Sequence, residues 1–332
     1  MRLGIKYPCG AVPMANRPRV FVAGHKGLVG SAVVRRLLSD NDSDLLVADR
    51  RRLDLLDQSA VGSFFEKERP EFVVLAAAKV GGIMANSLQP AAFAYENLVI
   101  QCNVIHSAWR AGARKLVFLG SSCIYPKLAP QPMREDCLLS GPLEPTNEAY
   151  AIAKIAGLKL VEAYRKEHGF CCGISLMPTN LYGPGDNFDL ETSHVLPALI
   201  RRFHEARLAD LPQVVLWGTG TPRREFLHVD DLADAVCFAL RNYDEPGLLN
   251  VGVGTDLAIS ELAVLISGTV GYKGNIVYDS SKPDGTPRKL LDVSRLTNLG
   301  WSAKIRLEDG VASTYAWYCE QAATDGTRHS MH

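Results

Sequence analysis

The chain lacks any apolar run of the roughly 18 residues that a membrane-spanning helix needs. Its first segment, 1–17, also lacks the apolar stretch of a signal peptide, because Pro8, Gly10 and Pro13 interrupt it. These two absences indicate a cytosolic protein without a membrane partner. Residues 1–18 have no hydrophobic periodicity, and we predict that they form a disordered N-terminal extension.

Neither sign of charge is in excess, since 36 Lys and Arg residues balance 36 Asp and Glu residues. We therefore expect no nucleic-acid partner, because proteins that bind nucleic acid usually carry a basic surface. The eight cysteines include no C-x-x-C pair and no cysteine and histidine cluster at zinc spacing. We predict no metal site and expect most of these cysteines to be buried free thiols.

Apolar runs that alternate with helical patterns dominate the first half of the chain. The predicted strands are continuous rather than alternating in hydrophobicity, which indicates burial on both faces and a parallel sheet covered by helices; they are Val20–Ala23, Leu45–Ala48, Phe72–Leu75 and Leu116–Leu119. We predict an α/β fold, a doubly wound parallel (Rossmann) sheet with a smaller C-terminal substrate-binding domain. The sheet domain spans 19–180, with about 226–252 returning to it, and 181–332 forms mainly the substrate-binding region.

A glycine-rich turn follows the first predicted strand and opens the first helix, with the sequence Gly24-His25-Lys26-Gly27-Leu28-Val29-Gly30. Glycines in this context permit a tight turn and let backbone N–H groups approach the pyrophosphate of a dinucleotide. The strand, turn and helix together predict a dinucleotide-binding site, which a glycine motif alone would not.

The end of the second predicted strand bears on the choice between NAD and NADP. Asp49 favours NAD, because a carboxylate there binds the ribose 2′-OH and repels a 2′-phosphate. Arg50 and the two arginines after it, together with Lys26, could instead bind the 2′-phosphate. We favour NADP(H), although the arginines could equally be a solvated charge run.

Tyr150 and Lys154 lie four residues apart in a helical segment that Pro145 introduces and Gly169 ends. This spacing places both side chains on one helix face, where an ammonium lowers the pKa of a phenol and prepares it for proton transfer. Ser121 follows the strand Leu116–Leu119 and therefore lies at the carboxyl edge of the sheet, where ligands bind. These three residues predict a proton-transfer centre.

Cys123 and His194 are weaker candidates. A cysteine after a strand is more often a buried hydrophobe, and a lone histidine is usually structural. Cys123, however, lies two residues after Ser121 and thus at the same crevice. Epimerisation next to a ketone requires a base on one face of the carbon and an acid on the other, a need that these two residues could meet.

These motifs resemble the extended short-chain dehydrogenase/reductase family, and the matching stretches are long. They are Val20–Ala32, Ala76–Gly82, Leu119–Lys127, Pro145–Glu148, Tyr150–Gly157, Met177–Pro184 and Lys282–Lys289. The resemblance implies a serine, tyrosine and lysine triad at Ser121, Tyr150 and Lys154. It also implies that NADP(H) contacts Arg50, Leu119, Gly120, Ser121, Ser122, Tyr150, Lys154, Pro178, Thr179, Asn180, Leu181 and His194 in addition to residues 24–30.

The stretches are most similar to those of family members that act on nucleotide sugars. This similarity implies the 3,5-epimerisation and 4-keto reduction of GDP-4-keto-6-deoxy-D-mannose to GDP-L-fucose, with Cys123 and His194 exchanging protons at C3 and C5. The substrate residues that it implies are Arg202, Trp217, Arg224, Asp284 and Lys289. It also implies a homodimer formed through the apolar helices at 91–111 and 150–164.

Two other functions remain open at this stage. One is an epimerase or dehydratase for nucleotide sugars that keeps NAD bound and returns its hydride to the sugar. The other is a cofactor-binding regulatory protein that has lost catalysis.

Lys26 departs from the family, which commonly has arginine at this position, and a lysine lacks the planar fork of a guanidinium.

Overall fold

The structure, a computed structural model, describes residues 17–170, 173–190, 192–282 and 284–329. The disordered extension predicted for 1–18 lies outside the described residues, apart from Arg17 and Pro18. Among the described residues, no helix combines the length and apolarity that crossing a membrane requires.

The chain alternates strands and helices through its first half. The strands are β1 Arg19–Ala23, β2 Asp44–Leu46, β3 Phe72–Leu75, β4 Lys115–Leu119, β5 Gly173–Pro178, β6 Asn180–Tyr182, β7 Gln213–Trp217, β8 Arg223–Arg224, β9 Phe226–His228, β10 Leu248–Val251, β11 Leu257–Ala258, β12 Asn275–Asp279 and β13 Arg288–Lys289. The helices are α1 Leu28–Asp40, α2 Gln58–Glu68, α3 Ile83–Leu88, α4 Pro90–Arg110, α5 Glu148–His168, α6 Val195–Leu208, α7 Val229–Asn242, α8 Ile259–Val270, α9 Ser294–Asn298 and α10 Leu307–His329.

Six parallel strands form the central sheet in the order β10-β5-β4-β3-β1-β2. Alternate residues of each strand point to opposite faces. Val22 and Val74 pack under α1 and α7 on one face, whereas Phe21 and Val73 pack under α2, α4 and α5 on the other. Burial of both faces explains the continuous apolar strands, and the predicted doubly wound fold is confirmed.

Strand β2 is shorter than predicted, since it ends at Leu46 rather than Ala48. It lies at the edge of the sheet and, among the residues that the structure describes, pairs with β1 alone, over three residues. Helix α6 begins at Val195, because His194 has extended backbone angles and forms the N-cap.

The second half of the chain builds a separate apolar core. Helices α6, α8 and α10 pack around the pair β7 and β12, and Phe203, Leu216 and Ile266 are buried between them. A three-stranded sheet, β11-β8-β13, lies in the same half. The chain also returns to the central sheet, because β10 pairs with β5 and α7 packs on α1, where Arg36 forms an ion pair with Asp234.

His228 lies at the junction of β9 and α7. Its Nδ1 accepts the N–H of Asp230, its ring packs edge-on against Tyr182 at 5.3 Å, and its Nε2 has no hydrogen-bond partner within the described residues. Burial lowers the pKa of His228, and Arg35 adds to the effect, whereas Asp230 and Asp231 oppose it. The folded protein therefore holds this imidazole neutral.

This burial predicts a loss of stability in acid. Because the pKa of His228 is lowered on folding, the unfolded chain binds a proton that the folded chain does not, once the pH falls below about 6.5. The free energy of unfolding should then fall by up to about 1.4 kcal/mol per pH unit. His228→Asn retains an N-cap acceptor and should show a smaller fall in Tm between pH 7.5 and 5.5 than the unmodified protein. An unchanged fall in His228→Asn would contradict this interpretation.

Candidate active site

The glycine turn after β1 leaves no room for side chains. Gly24 has a φ of +84°, and a Cβ there would lie 2.8 Å from the Cα of Ala77. A Cβ on Gly30 would overlap the Gly24 carbonyl group. Helix α1 has no side-chain cap at Gly27, so its first N–H groups, beginning at Leu28 and Val29, remain free for an anion. The turn therefore fits a pyrophosphate.

Asp49, after β2, is already occupied by protein groups. Its Oδ2 lies 3.0 Å from the Lys26 Nζ, and its Oδ1 accepts the N–H groups of Arg51 and Arg52 at 3.1 Å. The bond from Lys26 is the main reason that the pKa of Asp49 is lowered. Arg50 is mostly exposed, with Asp54 3.6 Å away. Asp49 thus caps a turn and neutralises Lys26.

Ser121 and Cys123 follow β4 at the carboxyl edge of the sheet. Ser121 caps a short 3₁₀ turn, Ser122–Ile124, by accepting the N–H of Cys123 at 3.4 Å. Cys123 is buried, and burial raises the pKa of its thiol, although Ser121, Lys289 and Lys154 act in the opposite direction. The preceding Leu119 and Gly120 are buried as well.

Helix α5 brings Tyr150 and Lys154 to the same edge. Lys154 is 4% exposed, donates to the Leu119 carbonyl at 2.9 Å, and lies 5.8 Å from the centre of the Tyr150 ring. Burial lowers the pKa of Lys154 to about 8 and raises that of Tyr150, whereas a hydrogen bond with Ser121 lowers the latter. The lowering of the Tyr150 pKa that we expected from Lys154 is therefore not found, since burial and Cys123 raise this pKa and the phenol is protonated.

His194 is held by a turn that sequence reasoning missed. Gly82, after β3, donates its N–H to the Thr192 carbonyl at 2.9 Å, and a Cβ on Gly82 would lie 2.8 Å from the Ser193 carbonyl oxygen. Although His194 keeps exposed surface, surrounding protein excludes enough water to lower its pKa and favour the neutral ring. The Gly81-Gly82 pair was the available signal, but its partner lies over a hundred residues away in the chain.

Two of the predicted substrate residues lie side by side. Arg224 of β8 and Lys289 of β13 are directly paired in the parallel register. The Arg224 guanidinium donates to the Arg223 carbonyl at 2.8 Å. Burial lowers the pKa of both Arg224 and Lys289. This arrangement places two cations together in partly buried surroundings.

The other three predicted substrate residues gather around the end of β7. Arg202 of α6 donates to the Val215 carbonyl at 3.5 Å, and Trp217 is 61% exposed. Asp284 accepts both the N–H and the hydroxyl of Thr219, at 2.6 and 2.8 Å. Asp284 therefore holds the turn that follows Trp217.

Glu225 is a second functional candidate that sequence reasoning missed. This fully buried carboxylate accepts three backbone N–H groups, from Val253 and Gly254 at 2.7 Å and from Leu291 at 3.0 Å. Its own carbonyl accepts bonds from Thr179 and Asn180, which were predicted to contact the cofactor together with the adjacent Pro178 and Leu181. The only indication of this role in the sequence was that an acidic residue lies between Arg224 and Phe226.

Within the described ranges, no three histidine, cysteine or carboxylate side chains come close enough to hold a metal ion. What the site offers instead is a set of proton-transfer groups, an anion-binding turn and paired cations. Such a set suits dinucleotide-dependent chemistry on an anionic substrate.

Comparisons with known proteins point in one direction. The model of the NAD dependent epimerase/dehydratase family matches residues 20–252. The chain is 58% identical to GDP-L-fucose synthase 1 of Arabidopsis thaliana over 300 residues, which cover 90% of this chain and 93% of the relative. It is 56% identical over 314 residues to GDP-L-fucose synthase of Escherichia coli strain K12, which cover 92% and 98%. A GDP-L-fucose synthetase structure from Naegleria fowleri bound to NADP has a TM-score of 0.87 at 27% identity, covering 94% of this chain and 97% of that one.

The surroundings of Cys123 predict how its thiol titrates. Burial should place the alkylation midpoint of the Cys123 peptide above that of a free cysteine, about 8.5. Lys289→Met removes a cation that favours the thiolate, so alkylation by iodoacetamide at pH 8 should slow several-fold. Lys67→Met, on distant α2, is the matched control. Peptide mass spectrometry measures both rates, and an unchanged or faster reaction in Lys289→Met would contradict the assignment.

Proposed function

The chain belongs to the NAD dependent epimerase/dehydratase family, and we propose that it catalyses the GDP-L-fucose synthase reaction. In this reaction GDP-4-keto-6-deoxy-D-mannose is epimerised at C3 and C5 and its 4-keto group is then reduced, giving GDP-L-fucose. The identity of 56% to 58% to relatives of that name, over nine tenths of the chain, is the observation that carries the proposal.

The residues at the glycine turn and at the end of β2 fit an NADP molecule. The glycine turn is free of side chains where a pyrophosphate would lie, and the mostly exposed Arg50 places a cation near the end of β2, beside the Lys26–Asp49 pair. Asp49 opposes a 2′-phosphate less than its charge suggests, because Lys26 and two backbone N–H groups already engage it. When bound, the reduced cofactor supplies the hydride for C4.

Reduction requires a proton for the substrate oxygen, and Tyr150 is the proposed acid. Burial keeps its phenol protonated, and the phenol forms a hydrogen bond with Ser121, which would also bond the substrate oxygen. Lys154 would hold the nicotinamide ribose, while its bond to Leu119 fixes its position. The three residues thus have separate roles in one proton transfer.

Epimerisation requires two groups that move protons at carbon. Burial favours a neutral imidazole at His194 and a protonated thiol at Cys123, so one group can accept a proton and the other can donate one. Removing a proton next to the 4-keto group develops negative charge on its oxygen. Tyr150 and Ser121 would stabilise this charge, so one oxyanion site serves both epimerisations and the reduction.

The GDP part of the substrate needs cations and an apolar surface. Arg224 and Lys289 are the proposed diphosphate ligands, and Arg202 is a third candidate. Trp217 offers an exposed ring for the base or sugar. Asp284 would affect the substrate indirectly, because it fixes the turn that follows Trp217. In this proposal 19–180 and about 226–252 form the dinucleotide-binding region, and 181–332 is mainly the substrate region.

The reaction can be tested directly. The purified protein with GDP-4-keto-6-deoxy-D-mannose should oxidise one NADPH per sugar and yield GDP-L-fucose, and should prefer NADPH to NADH. Tyr150→Phe removes the acid and should lower kcat by about 100-fold or more, whereas Tyr95→Phe, at an exposed position of α4, should not. A 4-epimer formed without net NADPH oxidation would instead identify the alternative enzyme that keeps NAD bound. No turnover with a folded protein would favour the regulatory alternative.

A homodimer is also proposed. Helices α4 and α5 pack together, and the ring of Trp109 stacks on that of His168 at 4.3 Å beside Tyr164. Tyr95 is 65% exposed and Ile152 is 52% exposed on the same two helices. Such apolar exposure supports a partner surface.

Light scattering at micromolar concentration should therefore give about twice the 36.2 kDa chain mass. Ile152→Asp would place a charge in the proposed interface and should yield the monomer. Val264→Asp, at an exposed position of α8, should leave the dimer intact. A monomer mass for the unmodified protein would exclude this assembly.

A further inference from the structure

Glu144 joins segments from both halves of the chain. Its Oε2 lies 3.1 Å from the Lys127 Nζ and accepts the Thr286 hydroxyl at 3.2 Å, while its Oε1 accepts the Thr146 hydroxyl at 3.3 Å. The side chain is 13% exposed. Burial opposes its ionisation, but the bonds from Lys127, Thr146 and Thr286 hold the pKa of Glu144 below its usual value.

The same carboxylate faces the paired cations. Thr286 lies three residues before Lys289, and a Cβ on Gly285, the residue before Thr286, would lie 3.8 Å from the Arg224 Nη2. The negative charge of Glu144 raises the pKa of both Arg224 and Lys289, against the lowering that burial causes. Lys127, Arg224 and Lys289 therefore share one counter-ion.

This cluster has three positive charges and one negative charge. Within the part of the chain that the structure describes, the Lys289 ammonium forms no hydrogen bond or ion pair, and the side-chain bond of Arg224 goes to a neutral carbonyl. Partly buried cations without partners are unfavourable unless an anion binds them. The two uncompensated charges match the two negative charges that a diphosphate carries when it links a nucleoside to a sugar.

We propose that Lys127 is a further cation for the diphosphate of the substrate, in addition to Arg224 and Lys289, and that Glu144 holds it in place until the diphosphate binds. Lys127 would then exchange the carboxylate for a phosphoryl oxygen. Its side chain is 40% exposed, which leaves the ammonium free to move. Because Lys127 lies four residues after Cys123, this contact would tie the diphosphate to the turn that carries the thiol. The proposal rests on the proposed function, which supplies the GDP-linked substrate.

Binding of GDP-mannose tests the assignment, because this GDP-hexose has no 4-keto group and is not expected to react. Calorimetry on the full chain should give a Kd about tenfold higher for Lys127→Met, whereas Lys127→Arg should restore most of the affinity. Lys67→Met, on α2, is the matched control. Guanosine, which carries no phosphate, should bind Lys127→Met as it binds the unmodified protein, and the Kd for NADPH should not change.

Glu144→Gln separates this role from that of a structural ion pair. Removing a carboxylate that repels the diphosphate should leave GDP-mannose bound at least as tightly as before. An increase in Kd equal to that of Lys127→Met would overturn the proposal, and so would a Kd for Lys127→Met within twofold of the original. Equal weakening of guanosine would overturn it as well. If the unmodified chain binds NADPH but not GDP-mannose, the proposed function itself fails, and the role of Lys127 fails with it.

Discussion

The hydrogen bond from Lys154 to the Leu119 carbonyl is the contact on which the site depends. A nearly fully buried ammonium needs a partner, and the last carbonyl of β4 provides it at 2.9 Å. This bond fixes helix α5 against the carboxyl edge of the sheet. Tyr150, one turn earlier on α5, is therefore held near Ser121, and Cys123 follows on the same short turn. The parallel sheet thus determines where three chemically different groups meet.

Buried carboxylates join the other segments in the same manner. Glu225 binds the loops at 253–254 and at Leu291, and thereby fixes the neighbouring Arg224 in β8. Glu144 binds Thr286, three residues before Lys289. Each carboxylate has enough donors to offset part of its loss of hydration, which makes its position specific rather than strongly stabilising. The segments that carry Arg224 and Lys289 are thus each tied to a carboxylate, and a chain that is neutral overall presents local positive charge there.

Local patterns predicted most of the fold and the centre of the site. Continuous apolar strands, the glycine turn and the four-residue spacing of Tyr150 and Lys154 depend on neighbours in sequence. What could not be predicted depends on contacts between distant segments. The position of Asp49 in the sequence predicts a ligand for the ribose, but in the structure its carboxylate binds Lys26, which lies 23 residues earlier. The sequence around Gly82 indicates an ordinary turn, whereas in the structure the carbonyl groups of the two residues before His194 pack against it. Strand β2 ends early because, among the described residues, it has one neighbouring strand.

The direction of the pKa shifts bears on how the proposed reaction would begin. Burial favours a protonated Tyr150, a protonated Cys123 and a neutral His194, so none of these three side chains is ionised. In the proposed reaction, ionisation of the thiol would require a change in its surroundings. Lys289 favours the thiolate, and it is also one of the cations that the diphosphate would neutralise. Anion binding would therefore weaken the support of Lys289 for a thiolate, which favours His194 as the first group to accept a proton.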